Sequence, residues 1–265
     1  MKQSAVAPKK SLNKMSAAEK LIVALDVDTA QRALDLFAEL HDVAAMFKIG
    51  VQLFTAAGPD LVREIVSRGG RVFLDLKYHD IPNTVALTAV EATRLGVSIF
   101  NIHSSGGREM MKWTAEAVAE TAARENLVAP KVLGVTLLTS IDQENLGKLG
   151  IEEPVQSVVR RLAMLAKESG LDGVVASAQE IKTIREAVGK EGFLIVTPGI
   201  RAASDAAHDQ RRTMSAAEAI RAGADYVVVG RPIVGATNRR NAAQQIAQEI
   251  ELALAPVGTN AASKR

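Results

Sequence analysis

The chain of 265 residues contains no cysteine, which excludes a disulfide framework, a thiol nucleophile and any cysteine-ligated zinc or iron–sulfur site. That absence fits a reducing, cytoplasmic compartment. Aromatic residues are scarce at 3%, with Trp113 the single tryptophan, so no stacking surface for a nucleic acid is expected. No apolar run reaches the roughly 18 residues needed to span a bilayer, and residues 1 to 15 lack the apolar centre of a signal peptide. A strong excess of one charge is missing too. The net charge is +2, but Lys2, Lys9, Lys10, Lys14, Lys264 and Arg265 supply six positive charges in the tails, leaving the body four charges negative. A mildly acidic body is not the clustered basic face that binds nucleic acid. A soluble protein with neither a membrane nor a nucleic-acid partner is expected.

What is present is a large apolar fraction, 48%, enough to bury a sizeable core. From Leu21 onward, short β-branched or apolar runs alternate with helical patterns, the signature of repeated βα units around a parallel sheet. The strand candidates are LIVALDV from Leu21, MFKIGV from Met46, RVFLDLK from Arg71, SIFNIH from Ser98, KVLGVTLL from Lys131, GVVAS from Gly173, FLIVTPG from Phe193 and YVVVG from Tyr226. Eight such units in this length predict an α/β fold, a single (β/α)8 TIM barrel, over residues 16–255. Residues 1–15 are expected to form a disordered basic extension and residues 256–265 a flexible tail. Two connections are longer than usual, SIDQENLGKLGIEEP after strand 5 and RAASDAAHDQRR after strand 7. Both follow strand C-termini, where barrel enzymes keep active sites and lids.

The densest chemistry lies in DLKYHDIPNT, residues 75 to 84. Period two in the preceding strand puts Phe73, Asp75 and Lys77 on one face and Val72, Leu74 and Leu76 on the other. Asp80 follows just before Pro82, whose fixed φ suits the first turn of a helix. The first strand ends in Asp26 and the second carries Lys48, so three neighbouring strands deliver Asp26, Lys48, Asp75 and Lys77 to one end of the barrel, with Asp80 added from the loop. An ion pair at a strand end is a poor stabilising device compared with apolar packing, and four or five such groups are costly to desolvate without purpose.

The array limits the mechanism. Carboxylate neighbours favour the ammonium form of Lys77, making it a proton donor and not the neutral amine that a Schiff-base enzyme uses. Asp26, Asp75 and Asp80 are possible magnesium ligands, but the two interleaved lysines would repel the ion. The opposite end of the pocket has the character of a phosphate grip. TPGIR follows strand 7 and VGRPI follows strand 8, the loops where barrels commonly hold phosphate. Gly230 permits close backbone approach, and Arg231 can fork onto phosphate oxygens.

Together, LDVD, FKIG, DLKxHDIPNT, VTxLTS, TPGIR with DQxR, and VGRPI resemble the orotidine 5′-phosphate decarboxylase family, over about Leu21 to Ala255. The resemblance implies decarboxylation of orotidine 5′-phosphate to UMP with no cofactor and no metal, by a homodimer. It implies that Lys77 protonates pyrimidine C6 within a charged array of Lys48, Asp75, Lys77 and a partner subunit's copy of Asp80. Asp26 and Lys48 would contact ribose hydroxyls, with Thr84 from the partner chain. Thr139 would read the pyrimidine edge, with Thr136 its rival; Gln210 would bridge base and phosphate; and Arg201, Gly230 and Arg231 would serve the phosphate end. A related barrel group with an Asp-x-Lys-x-x-Asp strand uses magnesium to hold an enediolate, and a catalytically silent phosphate-binding barrel is the non-enzymatic rival. The DIPNT continuation and the DQRR segment favour the nucleotide enzyme. His79 is expected to support the turn, His103 to border the pocket, and Met110, Met111 and Met164 to pack in the core.

Overall fold

A computed structural model describes residues 15–200 and 214–255. Residues 1–14 of the expected basic extension, the C-terminal tail, the long connection after strand 7, Arg201 and Gln210 lie outside the described residues. Met15, counted in that extension, is instead packed against the barrel-interior cluster, where its sulfur accepts from the Tyr226 hydroxyl at 3.4 Å. Eight parallel strands close in sequence order: β1 (Leu21–Ala24), β2 (Met46–Gly50), β3 (Arg71–Tyr78), β4 (Ile99–His103), β5 (Lys131–Val135), β6 (Gly173–Val175), β7 (Leu194–Thr197) and β8 (Tyr226–Val229). The chain is therefore a (β/α)8 barrel. Each strand starts within one residue of the position expected from its apolar run. Several stop earlier than those runs, β1 at Ala24 and β5 at Val135, so Asp26 and Thr136 lie just past strand ends at the C-terminal rim.

Alternation along the strands divides the apolar residues between two compartments. Ile22, Met46, Phe73, Ile99, Leu133 and Val228 belong to the cluster that fills the barrel interior. Val23, Phe47, Leu74, Phe100, Val132 and Val227, each next to one of these in sequence, pack outward against the helices. Burying a side chain of this size contributes roughly 1.5–3 kcal/mol, so both faces of the sheet are stabilising. The parallel sheet is covered on each side, as its continuous apolar runs require.

Local signals set the helix ends. Thr29 caps Ala30–Leu40 by accepting from the Arg32 amide at 3.3 Å. Ser215 and Glu218 form a reciprocal capping box at the start of Ala216–Ala222. Pro82 occupies the first turn of Pro82–Arg94, as the DIPNT segment predicts. Helix Val51–Ser67 is interrupted at Gly58, whose φ of 67° breaks the regular geometry before Pro59. The connection after strand 5 carries a short helix, Gln143–Lys148, whose buried Leu146 packs with Val158 and Leu162. It is a docked segment with its own apolar cluster. Met110 and Met111 are buried as expected, whereas Met164 is 37% exposed because its helix turns that face outward.

The N-terminal rim is tied by two similar arrangements. Asp172, before β6, accepts from the Val132 amide at 2.9 Å and from Lys131 Nζ at 2.7 Å. Asp225, before β8, accepts from the Ile195 amide at 2.8 Å and pairs with Arg185, which also donates to the carbonyls of Phe193 and Gly223. Each carboxylate thus satisfies a strand amide and a cation together.

Candidate active site

The opposite, C-terminal rim gathers the charged residues. Asp75 lies on the inward face of β3, and its side chain is only 14% exposed. Its two oxygens face different cations: Lys77 Nζ is 2.6 Å from Oδ1, and Lys48 Nζ is 3.4 Å from Oδ2. Lys48, on β2, also reaches Asp26 Oδ1 at 3.0 Å, just past the end of β1. Asp26, Lys48, Asp75 and Lys77 therefore form a continuous chain of alternating sign across three adjacent strands. Burial pushes the Asp75 carboxyl up, but the charges of Lys48 and Lys77 and the hydrogen bonds from Lys77 and Asn101 outweigh it, so its pKa is lowered overall. Asp75 is held as a carboxylate in a largely dry site.

Two glycines let these groups approach the backbone. A Cβ on Gly50 would stand 3.0 Å from Lys48 Nζ, and one on Gly230 would stand 3.2 Å from Asp26 Oδ2. Asp26 thus touches both the charged array and the loop after β8. It also lines a cleft of about 380 Å³ with Asp28, Arg32, Gln52, Arg231 and Gly235. Arg231, one of the residues lining this cleft, is exposed. Arg32 and Gln52 were not singled out by sequence. They sit inside ordinary helical patterns, and only the fold carries them to the cleft.

The remaining candidates are placed differently. Asp80 is exposed and accepts from the Ile81 amide at 2.7 Å; Thr84 is exposed in the first turn of the following helix. Thr136 is buried, and its hydroxyl donates to the Val175 carbonyl at 3.3 Å, whereas Thr139 is exposed beyond the end of β5. His79 and His103 face each other with ring centroids 5.1 Å apart. Burial, followed by the positive potential of His79 and Lys77, pulls the His103 pKa down.

Sequence reasoning also passed over Asn101. This fully buried residue of β4 donates from Nδ2 to Asp75 Oδ1 at 2.7 Å and accepts the Lys77 backbone N–H at 2.8 Å. The available signal was a polar side chain inside the apolar run IFNIH, at a position facing the array.

A closed parallel barrel with acid–base residues at its C-terminal rim defines a (β/α)8-barrel enzyme. The model of the orotidine 5′-phosphate decarboxylase / HUMPS family matches residues 19–246, and the chain belongs to that family. It is 52% identical to the orotidine 5′-phosphate decarboxylase of Syntrophotalea carbinolica, over 91% of this chain and 98% of that protein. It is 53% identical to the enzyme of the same name from Moorella thermoacetica, over 90% and 95% of the two chains. The crystal structure of orotidine 5′-phosphate decarboxylase from Lactobacillus acidophilus superposes with a TM-score of 0.77 at 36% identity, covering 88% of this chain and 99% of that one.

Proposed function

We propose that this protein converts orotidine 5′-phosphate to UMP and carbon dioxide without metal or cofactor, as a cytoplasmic homodimer in pyrimidine nucleotide synthesis. The observation that carries this proposal is Asp75 held between two ammonium groups, 2.6 and 3.4 Å away. Breaking the bond between C6 and the carboxylate leaves an electron pair on an sp² carbon outside the π system. Fixed positive charge must stabilise that pair as it forms. Lys77 supplies the charge, then transfers a proton to C6; its neutral amine regains a proton from water before the next turnover. Asp75, beside the departing carboxylate, adds repulsion in the ground state.

Asp26 and Lys48 bind ribose hydroxyls, and Arg231 with Gly230 takes the phosphate in the cleft. Arg201 and Gln210 complete that end. Thr139 reads the pyrimidine edge, because the Thr136 hydroxyl is already engaged by Val175. Asp80 and Thr84, both exposed, act in the site of a second copy. Phosphate binding remote from C6 positions the ring for reaction.

Ultraviolet absorbance of orotidine 5′-phosphate, followed with and without exhaustive EDTA, tests the proposal. Full activity in the chelator is expected. Chelator-sensitive turnover restored by magnesium would favour the sugar-phosphate chemistry of the related barrels instead.

A further inference from the structure

The β3–β4 ladder skips. Leu74 pairs with Phe100 and Tyr78 with Ile102, so Asp75, Leu76 and Lys77 together lie opposite the single residue Asn101. Within this bulge Lys77 adopts φ 52°, a left-handed conformation that is unfavourable for a residue with a side chain. Its amide donates to a side chain of β4, Asn101 Oδ1, at 2.8 Å. The other end of the same amide group donates to Asp75 Oδ1 at 2.7 Å, the oxygen that Lys77 Nζ also reaches at 2.6 Å. Reversing the amide would set its carbonyl against the carboxylate and its NH2 against the backbone N–H, so chemistry allows one orientation.

We propose that Asn101 is the positioning residue of the Asp75–Lys77 pair, clamping the Asp75 carboxylate with its NH2 and the left-handed Lys77 backbone with its carbonyl. Its catalytic importance rests on the proposed role of Lys77 as proton donor. Without the clamp, Lys77 relaxes toward an extended backbone and Asp75 loses a donor, displacing the ammonium group from C6. Misplacement by about 1 Å can lower a rate on the order of 100-fold.

Asn101→Ala should therefore lower kcat by about 100-fold, with KM and UMP affinity close to wild type. Asn101→Asp separates the two halves of the clamp. It keeps the acceptor for the Lys77 amide but sets a carboxylate against Asp75; protonation of the pair restores a donor. Its kcat should rise as pH falls, opposite to the trend expected for wild type, whose Asp75 must remain ionised. Wild-type kcat in Asn101→Ala, or wild-type pH dependence in Asn101→Asp, overturns the proposal. Carbon-13 NMR of the Asp75 carboxyl decides the geometry independently of turnover. Its titration should move to higher pH in Asn101→Ala, as expected on losing a donor. An unchanged midpoint overturns the clamp, even in a wild-type protein that fails to turn over orotidine 5′-phosphate, a failure that would count against the proposed function alone.

Discussion

Lys77 and Asp75 meet at 2.6 Å through side chains of one strand, although the backbone between them leaves the regular ladder and turns left-handed at Lys77. The short contact and the unfavourable backbone belong to the same local arrangement. Both can be separated by substitution.

Lys77→Ala should abolish turnover while retaining UMP binding. Lys77→Gly should be equally inactive but more stable, because glycine accepts positive φ without the penalty of about 1 kcal/mol carried by other residues. For a chain of this size that difference corresponds to a Tm about 2–4 °C higher in Lys77→Gly than in Lys77→Ala. Near-normal turnover in either variant would remove Lys77 as the proton donor.

Arg231→Ala should act on binding. Loss of a charge-assisted contact is expected to weaken UMP affinity by roughly 10-fold or more, with a smaller effect on the rate at saturating substrate. Calorimetric titration with UMP and with uridine separates the phosphate contribution. Equal UMP affinity in wild type and variant would place the phosphate elsewhere.

Asp80 is tested by mixing subunits. Lys77→Ala and Asp80→Ala homodimers should each be nearly inactive. In a mixed dimer, the Asp80→Ala chain keeps its own Lys77 and borrows Asp80 from the other chain, so one site of two is intact. Random exchange at equal concentrations makes half the dimers mixed, giving about a quarter of wild-type activity. No recovery after demonstrated exchange would assign Asp80 to the site of its own chain.

Stability should depend on pH through Asp75. Its carboxyl has a lower pKa folded than unfolded, where about 3.9 is usual, so its favourable contribution is present above that value and disappears as pH falls through the folded pKa. The Tm difference between wild type and Asp75→Asn should consequently narrow below about pH 4. A constant difference from pH 7 to pH 2.5 would show that charge pairing does not stabilise the fold.

The barrel was legible because eight short apolar runs alternate along the chain with helical patterns, and the charged array because Asp26, Lys48, Asp75 and Lys77 interrupt those runs near the same rim. The bulge was not. Asp75 and Lys77 still point inward on either side of Leu76, so the pattern looks regular while the ladder skips. Asn101 was hidden for a related reason: an isolated polar residue in a strand announces burial of something polar, but not which groups it joins. Arg32 and Gln52 reach the cleft only through the packing of separate helices.

Asp172 and Asp225 stitch neighbouring strands together at the rim remote from Lys77, each using one carboxylate for an amide and a cation. This separation gives protein engineers a practical division. Substitutions that reinforce the lower stitches can raise heat tolerance while leaving the reactive groups undisturbed, so durability and reaction specificity can be tuned independently at opposite ends of the same molecule.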